Sequence, residues 1–536
     1  MSFGSGKWRV TRLGLAAAAA GITLAVDAAQ PALSQGTVIV GMTAGDVPLT
    51  TGNPDQGFEG FRFVGWSLYD SLSTWDLSQR DKPSDIKPGL ATEWHIDPNN
   101  SKRWIYTLRK GVKWHDGCDF TADDVVWNLK MRTDDKSPMF NPQQFALSRA
   151  YLVNFDSIEK LDDYSVAINT KFVASTFPYS MSYVLMISRC RAETLKYDWN
   201  AYAMKPSGTG PYLFDQFVPH ERLEFVPNKN YWDKVRVPKQ DRLVLLPMPE
   251  ASTRVAALLS GQINFVEAPP PDAVDRLKSA GMQIVSNVYP HNWPYILNTT
   301  HGPFQDVRVR RAANHAVNRA DVVELVGGFA TEEYATASPN MPYYGKPVKY
   351  EYSAEKARAL LKEAGCLPCK VTFAISTSGS GQMQSLPMNE LVKSQLDAAG
   401  FDVTLKVMDW NALLEISRGG VDKFPEIDGL NASRAMLDPE ATIMRTASKK
   451  FWTPNGSNWG HYYSDEAEAL IDQVFNTFDP AARLQVLIKL HEKLADDAFM
   501  LFVVHDLNPR ALSPKVKGFV QAQNWFQDMT PITVAP

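Results

Sequence analysis

Hydrophobic and polar residues alternate between positions 103 and 114 of this chain. Three hydrophobic residues take every second position in the first half of the segment: Trp104, Tyr106 and Leu108. A period of two residues is typical of a half-buried β-strand, so a strand is predicted here. The dipeptide Lys110-Gly111 interrupts the alternation, and Val112 with Trp114 resume it as a second predicted strand.

A helix is predicted shortly after the turn at Asp116-Gly117. Thr121 has a side chain suited to an N-cap, and Asp124, three residues later, completes the sequence of a capping box. The apolar side of this helix is formed by Val125, Val126 and Leu129. The segment therefore predicts framework structure, and none of its residues is arranged for catalysis.

The same two spacings predict alternating strands and helices along the rest of the chain. Predicted strands lie at 37–41, 263–266, 370–375, 403–407 and 500–504, with a hairpin entered at Tyr212 and completed by 223–232. Predicted helices lie at 61–72, 250–260, 309–317, 354–364 and 386–399, and a long one opens at Asp479-Pro480. Glycines at 261, 365 and 400 follow three of these helices as stop signals.

Mixed helices and strands, with a late strand that returns towards the first part of the chain, predict a mixed α/β protein. Its 536 residues correspond to about three structural units at roughly 100–200 residues each. We expect two lobes, each with its own sheet, joined by hinge segments.

The N-terminus has the pattern of a secretory signal peptide. Lys7, Arg9 and Arg12 precede an apolar run from 13 to 26, and small residues continue to Ser34. The run is shorter than the ~20 residues that a membrane helix needs. Cleavage is predicted after Ala28 or Ser34, and with no cysteine near either site a lipid anchor is not expected. The mature protein is predicted to be periplasmic, with no stable membrane anchor.

Net charge changes the expected partners. The predicted signal peptide contains three cations and one carboxylate, so its removal changes the net charge of the chain from −4 to −6. An acidic chain of this kind disfavours nucleic acid and anionic membranes as partners.

Four cysteines lie in the exported part, where disulfides are stable. Four cysteines allow three pairings. The spacing Cys366-Leu-Pro-Cys369 is compatible with a structural disulfide, with free thiols or with a redox motif. We favour the structural disulfide because reactive CxxC thiols lie at helix N-termini, whereas this pair follows a helix. Cys118 and Cys190 would then form the second pair.

Motifs for catalysis are incomplete in this sequence. His491-Glu492 begins like a zinc-protease motif, but Ala495 occupies the position of the second histidine. The Ser/Gly-rich segment 376–381 lacks a GxSxG pattern. We therefore predict a binding protein with no cofactor, and not an enzyme.

Several blocks resemble one protein family. The block from Arg103 to Trp127 reads RWIYTLRKGVKWHDGCDFTADDVVW, and three others are PSGTGPY at 206–212, LEFVPNKNYW at 223–232 and LNTTHGPFQDVRVRRAA at 297–313. They are similar to the peptide/nickel-type (family 5) extracytoplasmic solute-binding proteins of bacterial ABC importers. The resemblance extends over about residues 36–530.

The resemblance implies the two-lobed periplasmic binding protein type II fold with an extra inserted subdomain and a ligand cleft between the lobes. It places the signal peptide at 1–34 and the inserted subdomain at 59–196. The first lobe would combine 36–58, 197–288 and 503–536, and the second lobe would be 289–502.

The resemblance also implies a function. The protein would bind a small organic solute, a short peptide or an amino-acid-derived compound, and deliver it as a monomer to the permease subunits of an ABC importer. Two alternatives remain open: a protein that presents its ligand to a chemoreceptor or sensor, and a binder of a nickel or haem chelate through His291 or His461.

The ligand-binding residues are predicted from the segment before Asp438-Pro439. Peptide binders of the family present an Asp to the ligand's amino terminus three residues before this acid, but Ala435 stands at that position here. Its neighbour Arg434 would favour a carboxylate instead. The candidate ligand-binding residues, with aromatic side chains predicted as cleft walls, are Trp66, Tyr69, Trp410, Asn431, Arg434 and Trp459.

Overall fold

The computed structural model describes residues 36–535 except 53–57, 143, 378–383, 436 and 440–442. The predicted signal peptide and its cleavage sites lie outside these residues, as does most of the Ser/Gly-rich segment 376–381. No helix in the described part of the chain is long and apolar enough to cross a membrane.

A seven-stranded sheet forms the core of the first lobe. Its strands, in spatial order, are Gln283–Val285, Arg510–Leu512, Phe265–Glu267, Thr37–Met42, Arg242–Pro247, Arg222–Pro227 and Tyr212–Val218. The predicted hairpin is present as the antiparallel pair of the last two strands. The strand Thr37–Met42 is parallel to both neighbours and nearly all buried, which explains its uninterrupted apolar run.

A four-stranded antiparallel sheet lies within the range predicted as the inserted subdomain. Its strands, in spatial order, are Ala91–Asp97, Asn100–Leu108, Ser165–Thr170 and Phe155–Asp162. In the second strand Trp104, Tyr106 and Leu108 are buried and their neighbours are more exposed, as the alternation predicts.

The second strand predicted at Val112 and Trp114 is wrong. These residues lie in a loop that closes on itself, since the Trp114 N–H donates to the Cys118 carbonyl at 2.9 Å and the Phe120 N–H donates to the Val112 carbonyl at 3.0 Å. Both side chains are buried, and their apolar spacing serves the core without a ladder of strand hydrogen bonds.

The helix Ala122–Thr133 begins where the capping box predicts. The Thr121 N–H donates to the Asp124 carboxylate at 2.9 Å, and Asp124 is buried. Both groups belong to the first turn, whose free N–H groups need acceptors.

We expect Thr121→Ala to lower the free energy of unfolding by about 1 kcal/mol, because the alanine cannot accept a hydrogen bond from the first turn. Urea unfolding followed by tryptophan fluorescence measures this change. Thr121→Ser keeps the hydroxyl and should stay close to the parent protein; an equal loss in both variants would contradict a capping role.

A five-stranded sheet forms the core of the second lobe. Its strands, in spatial order, are Phe401–Met408, Cys369–Ser376, Gly429–Asn431, Tyr295–Leu297 and Met500–Leu501. The helices of this lobe are Val307–Ala316, Arg319–Leu325, Ala354–Glu363, Ser385–Ala398, Trp410–Gly419, Arg445–Ala447, Asp465–Asn476 and Pro480–Asp496.

A small sheet lies where the chain passes between the lobes. Its strands, in spatial order, are Ala330–Glu332, Val504–Asp506, His291–Asn292 and Arg434–Ala435. The single strand predicted at 500–504 is therefore divided: Met500–Leu501 belongs to the second-lobe sheet and Val504–Asp506 to this one. The chain then continues into Arg510–Leu512 of the first sheet.

The helix predicted at 61–72 is shorter in the structure. A π-helical turn at Gly60–Gly65 is followed by one α-helical turn at Trp66–Leu68, and Tyr69 is extended.

Shorter elements complete the described part of the fold. The remaining helices are Ala146–Tyr151, Phe177–Met181, Arg189–Thr194, Trp199–Met204, Ala251–Leu259 and Val274–Ser279. The 3-10 turns are Lys234–Arg236, Pro271–Ala273, Pro303–Gln305 and Lys449–Phe451. Two strand pairs are Ser73–Trp75 with Ile86–Pro88 and Val516–Lys517 with Thr533–Val534.

Both cysteine pairs are bonded in the structure. Cys118 pairs with Cys190, which ties the loop before the capped helix to the helix Arg189–Thr194. Cys366 pairs with Cys369 between the helix Ala354–Glu363 and the next strand. Each disulfide therefore connects neighbouring elements of the fold, as a structural disulfide does.

Candidate functional site

A cavity of about 1610 Å³ lies where the lobes and the inserted subdomain meet. Most of its lining, called the wall below, comes from residues between 130 and 183 and residues between 410 and 457. Phe58 and Trp525 of the first lobe also line it, with His291 of the small sheet. All of these parts of the fold contribute to one site.

Arg434 lies in this wall because of the small sheet. Its strand pairs with His291–Asn292, which places residue 434 opposite Asn292. The guanidinium Nε and Nη2 atoms are buried and have no hydrogen-bond partner among the residues that the structure describes. Burial lowers the pKa of Arg434 to about 10; Tyr151 opposes this shift and the nearby positive charge of Arg445 adds to it. The group is therefore still a cation at neutral pH.

Arg445 is a second cation in the same wall, on the short helix Arg445–Ala447. Its guanidinium carbon lies 3.7 Å from the centre of the Tyr151 ring, and Nη2 donates to the Ser457 hydroxyl at 3.1 Å. Nη1 is buried and has no hydrogen-bond partner. One edge of this guanidinium is therefore fixed, and another has no hydrogen-bond partner among the described residues.

A tyrosine pair supports Arg445. The rings of Tyr151 and Tyr183 stack with their centres 3.6 Å apart and 9° between their planes. The Tyr183 hydroxyl donates to the buried Asp438 carboxylate at 3.0 Å, and burial raises the pKa of Tyr183 well above its ordinary value. The acid of the Asp438-Pro439 dipeptide thus holds a wall residue in place.

The wall is electropositive. Its described residues include eight cations against three carboxylates, all of them aspartates: Lys130, Arg132, Arg149, Lys171, Arg418, Arg434, Arg445 and Lys450 against Asp134, Asp135 and Asp156. Some cations are already paired: Lys450 contacts Glu468 at 2.6 Å, and Arg418 contacts Glu415 at 3.5 Å. Arg434 and Arg445 form no ion pair with any described residue.

Two indole groups also lie in the wall. Trp410 opens the helix Trp410–Gly419 after the N-cap Asp409, and Trp525 belongs to the C-terminal segment. The Nε1 atom of each is buried without a hydrogen-bond partner. Each therefore offers an apolar face and one unused donor.

Of the six predicted ligand-binding residues, Trp410 and Arg434 line the cavity and the other four do not. Trp66 stacks on Phe526 with ring centres 4.6 Å apart, and the Tyr69 hydroxyl donates to the Thr50 carbonyl at 2.7 Å. The side-chain amide of Asn431 donates to the Pro294 carbonyl at 3.1 Å.

Trp459 is fully buried, and its indole N–H donates to the Ile416 carbonyl at 3.1 Å. Tyr69, Asn431 and Trp459 thus have hydrogen-bond partners within the core. The Trp66 indole N–H is buried without a partner among the described residues, but its ring packs on Phe526 and does not line the cavity.

Of the two histidines considered for binding a chelate, only His291 lines the cavity. His291 lines the cavity with its Nδ1 3.5 Å from the Asp506 carboxylate. His461 is buried, stacks on Trp452 with ring centres 4.6 Å apart, and does not line the cavity.

Sequence reasoning missed Arg445, Tyr151 and Tyr183. Arg445 and Tyr151 lie almost 300 positions apart, and neither belongs to a motif. A partial signal was available for Arg445 because it follows Asp438-Pro439 within seven residues, the same dipeptide that points to Arg434.

Two relatives align with most of this chain. Haem-binding protein A of Haemophilus influenzae is 26% identical over 461 residues, 82% of each chain. The dipeptide-binding protein of Escherichia coli is 25% identical over 500 residues, which cover 88% of this chain and 90% of that protein. Both relatives are binding proteins by name.

Solved structures match the fold over nearly the whole chain. The ABC transporter-associated periplasmic binding protein DppA of Helicobacter pylori, in complex with the peptide STSA, has a TM-score of 0.80 at 23% identity and covers 94% of this chain and 98% of its own. The binding protein AgaA of A. tumefaciens R10, in complex with agropinic acid, has a TM-score of 0.77 at 20% identity, with 94% and 99% covered. These similarities confirm the predicted two-lobed periplasmic binding protein fold.

The family assignment rests on the central part of the sequence. Residues 85–467 match the family described as bacterial extracellular solute-binding proteins, family 5, middle. This range includes the Arg103–Trp127 block, both cysteine pairs and the two arginines Arg434 and Arg445 of the cavity wall. The chain belongs to the bacterial extracellular solute-binding proteins of family 5.

Proposed function

We propose that this protein binds a carboxylate-bearing organic solute in the inter-lobe cavity and delivers it to the permease of an ABC importer. The observation that carries the ligand chemistry is the guanidinium of Arg434, whose buried Nε and Nη2 have no partner in the described part of the chain. The protein acts by binding and not by catalysis, as a periplasmic monomer released from its signal peptide.

An unpartnered buried cation is unfavourable in the empty protein. A carboxylate removes this penalty because the planar guanidinium donates two parallel hydrogen bonds to its two oxygens. Ala435 supplies no charge beside Arg434, so this part of the wall attracts the acid group of a ligand and not its amino group.

The ligand class that fits best is a short peptide or another amino-acid-derived acid. The cavity of about 1610 Å³ exceeds the roughly 300–1,000 Å³ typical of small-molecule sites and accommodates several residues. Relatives bind dipeptides or glutathione by name, and related structures hold a peptide or agropinic acid.

A haem chelate is a second candidate, favoured by His291 in the cavity wall and by the haem-binding relative. Titration of the protein with haemin distinguishes the two candidates. A saturable Soret band that is lost in His291→Ala supports the haem chelate, whereas an unchanged spectrum supports the organic acid.

We expect a true ligand to raise the free energy of unfolding by about 2.7 kcal/mol at a hundredfold excess over its dissociation constant. A thermal-shift screen of dipeptides, tripeptides, opine-type acids, sugars and metal chelates measures this effect. The carboxylate-bearing classes should shift the melting temperature and the neutral sugars should not. No shift with any class, together with turnover of a peptide, would contradict the proposed function.

A further inference from the structure

We infer that the ligand carries two acidic groups, one taken by Arg434 and the other by Arg445. This inference rests on the proposed function and narrows its ligand class. It separates a solute with two carboxylates from a simple zwitterionic peptide, which has one.

The first support is that two cations in one wall form no ion pair with any residue that the structure describes. Arg434 leaves Nε and Nη2 unpaired, and Arg445 leaves Nη1 unpaired. The two positive charges are close enough that Arg445 disfavours the charged form of Arg434. One bound carboxylate would neutralise only one of two like charges held out of water, so a second acidic group adds a separate favourable contact.

The second support is that the buried, unpartnered side-chain atoms of the wall are almost all hydrogen-bond donors. Buried side-chain atoms without a hydrogen-bond partner occur on six of the described lining residues: Arg132, His291, Trp410, Arg434, Arg445 and Trp525. All are nitrogen atoms, and except for the imidazole of His291 each is a donor only. The complementary ligand is therefore rich in acceptors, as carboxylates are.

The third support is that Arg445 is held in position before any ligand arrives. Its guanidinium lies on the Tyr151 ring, Tyr151 stacks on Tyr183, and Tyr183 is hydrogen-bonded to the buried Asp438. Fixing a guanidinium in this way reduces the entropy lost when it pairs with a carboxylate. These contacts therefore suit Arg445 to bind an acidic group of the ligand.

The wall provides little for a free ammonium group. Its described carboxylates are Asp134, Asp135 and Asp156, and all three are exposed to solvent. Exposed ion pairs contribute little because water screens them. A substituted or acylated amino group on the ligand should therefore bind as well as a free one.

Four peptides test the inference on the unmodified protein: Ala-Gln, Ala-Glu and their N-acetyl forms. Isothermal titration measures each dissociation constant. We expect each Glu peptide to bind about tenfold or more tightly than its Gln partner, because the second carboxylate gains a charged hydrogen bond. Acetylation should change either affinity less than threefold. Equal binding of Glu and Gln peptides would overturn the inference and leave the proposed function intact.

Variants assign the two groups. Arg445→Gln should remove the Glu preference, so that the Glu and Gln peptides bind alike, and Arg445→Lys should restore part of the preference. Arg418→Gln is the matched control, since Arg418 lines the same cavity but is paired with Glu415. A Glu preference that survives in Arg445→Gln would overturn the assignment. Failure of all four peptides to bind would contradict the proposed peptide class, and this inference with it.

Discussion

Replacing Arg434 with methionine is expected to weaken binding of the ligand about tenfold to more than a hundredfold and, at the same time, to stabilise the empty protein. Binding is lost because a charged, two-point hydrogen bond disappears; such bonds contribute ~1.5–3 kcal/mol, and the wall offers no second donor at the same position. Stability rises because the cation is held in the wall without a carboxylate, as its lowered pKa of about 10 shows.

The expected stabilisation is about 1–3 kcal/mol, of the size that a pKa displaced from 12.5 to about 10 implies once partial access to the cavity is allowed for. Chemical unfolding of the empty protein and titration with the best ligand of the screen measure the two effects. Arg418→Met is the control, and it should change neither quantity much because that side chain is exposed and paired.

Opposite signs of the two effects are the diagnostic result. Removing a side chain that serves the structure lowers the free energy of unfolding of the protein. Removing a buried cation that serves binding lowers the affinity for the ligand but raises the free energy of unfolding, because the penalty of burying the charge disappears. If Arg434→Met destabilises the empty protein and leaves the affinity unchanged, Arg434 is a structural residue and the site must be placed elsewhere.

Secondary structure was predicted well from the sequence where it depends on interactions between residues a few positions apart. The capping box at Thr121 and Asp124 needs residues only three positions apart, and it is formed in the structure. The alternation of Trp104 and Tyr106 is likewise a local pattern, and the strand is present. The glycines that end helices are also predicted from neighbouring residues, and Gly365 has the positive φ of 70° that favours glycine.

The wall of the cavity was harder to predict because it depends on distant contacts. Trp66 and Trp410 look alike in sequence, each an aromatic residue on a predicted helix or beside a predicted strand. Only the folded chain shows that Trp66 stacks on Phe526 in the core while Trp410 faces the cavity. Arg434 was found because the comparison of a motif, and not the hydrophobic pattern, drew attention to position 435.

A buried charge cluster in the first lobe leads to the second large effect. Arg62 contacts Glu59 at 2.6 Å and also contacts Glu267, and Arg510 lies 3.6 Å from Glu267. All four side chains are inaccessible to solvent. The sheet register accounts for part of the arrangement, since Glu267 and Arg510 are directly paired on neighbouring strands. The Tyr289 hydroxyl accepts from Arg62 and donates to the Trp525 carbonyl, which links the cluster to the cavity wall.

The two carboxylates of the cluster differ in charge state. The guanidinium groups of Arg62 and Arg510 outweigh burial and lower the pKa of Glu267 to about 2. At Glu59 burial dominates, and the neighbouring Glu267 charge adds to it, so the pKa is raised to about 8. We therefore expect Glu267 to be the charged partner of the arginines at neutral pH and Glu59 to hold a proton.

We expect Glu267→Gln to lower the free energy of unfolding by about 3–5 kcal/mol at pH 7, because it leaves two buried guanidinium groups without their main counter-ion. Glu59→Gln is the matched change in the same cluster. It imitates the protonated acid and should cost about 1 kcal/mol or less at the same pH. Urea unfolding of the two variants and the parent protein at one pH measures both effects, and equal losses would contradict the assignment of charge.

The pH dependence separates the two acids further. A carboxyl whose pKa is raised from 4.5 to about 8 contributes stability that is full below pH 4.5 and is lost as the pH rises towards 8. The parent protein should therefore lose stability relative to Glu59→Gln between pH 5 and pH 9, so that the glutamine variant becomes the more stable of the two at the alkaline end. Parallel stability curves for parent and variant over this range would show that Glu59 is ionised throughout, and the cluster would then hold two buried carboxylates balanced by its two arginines.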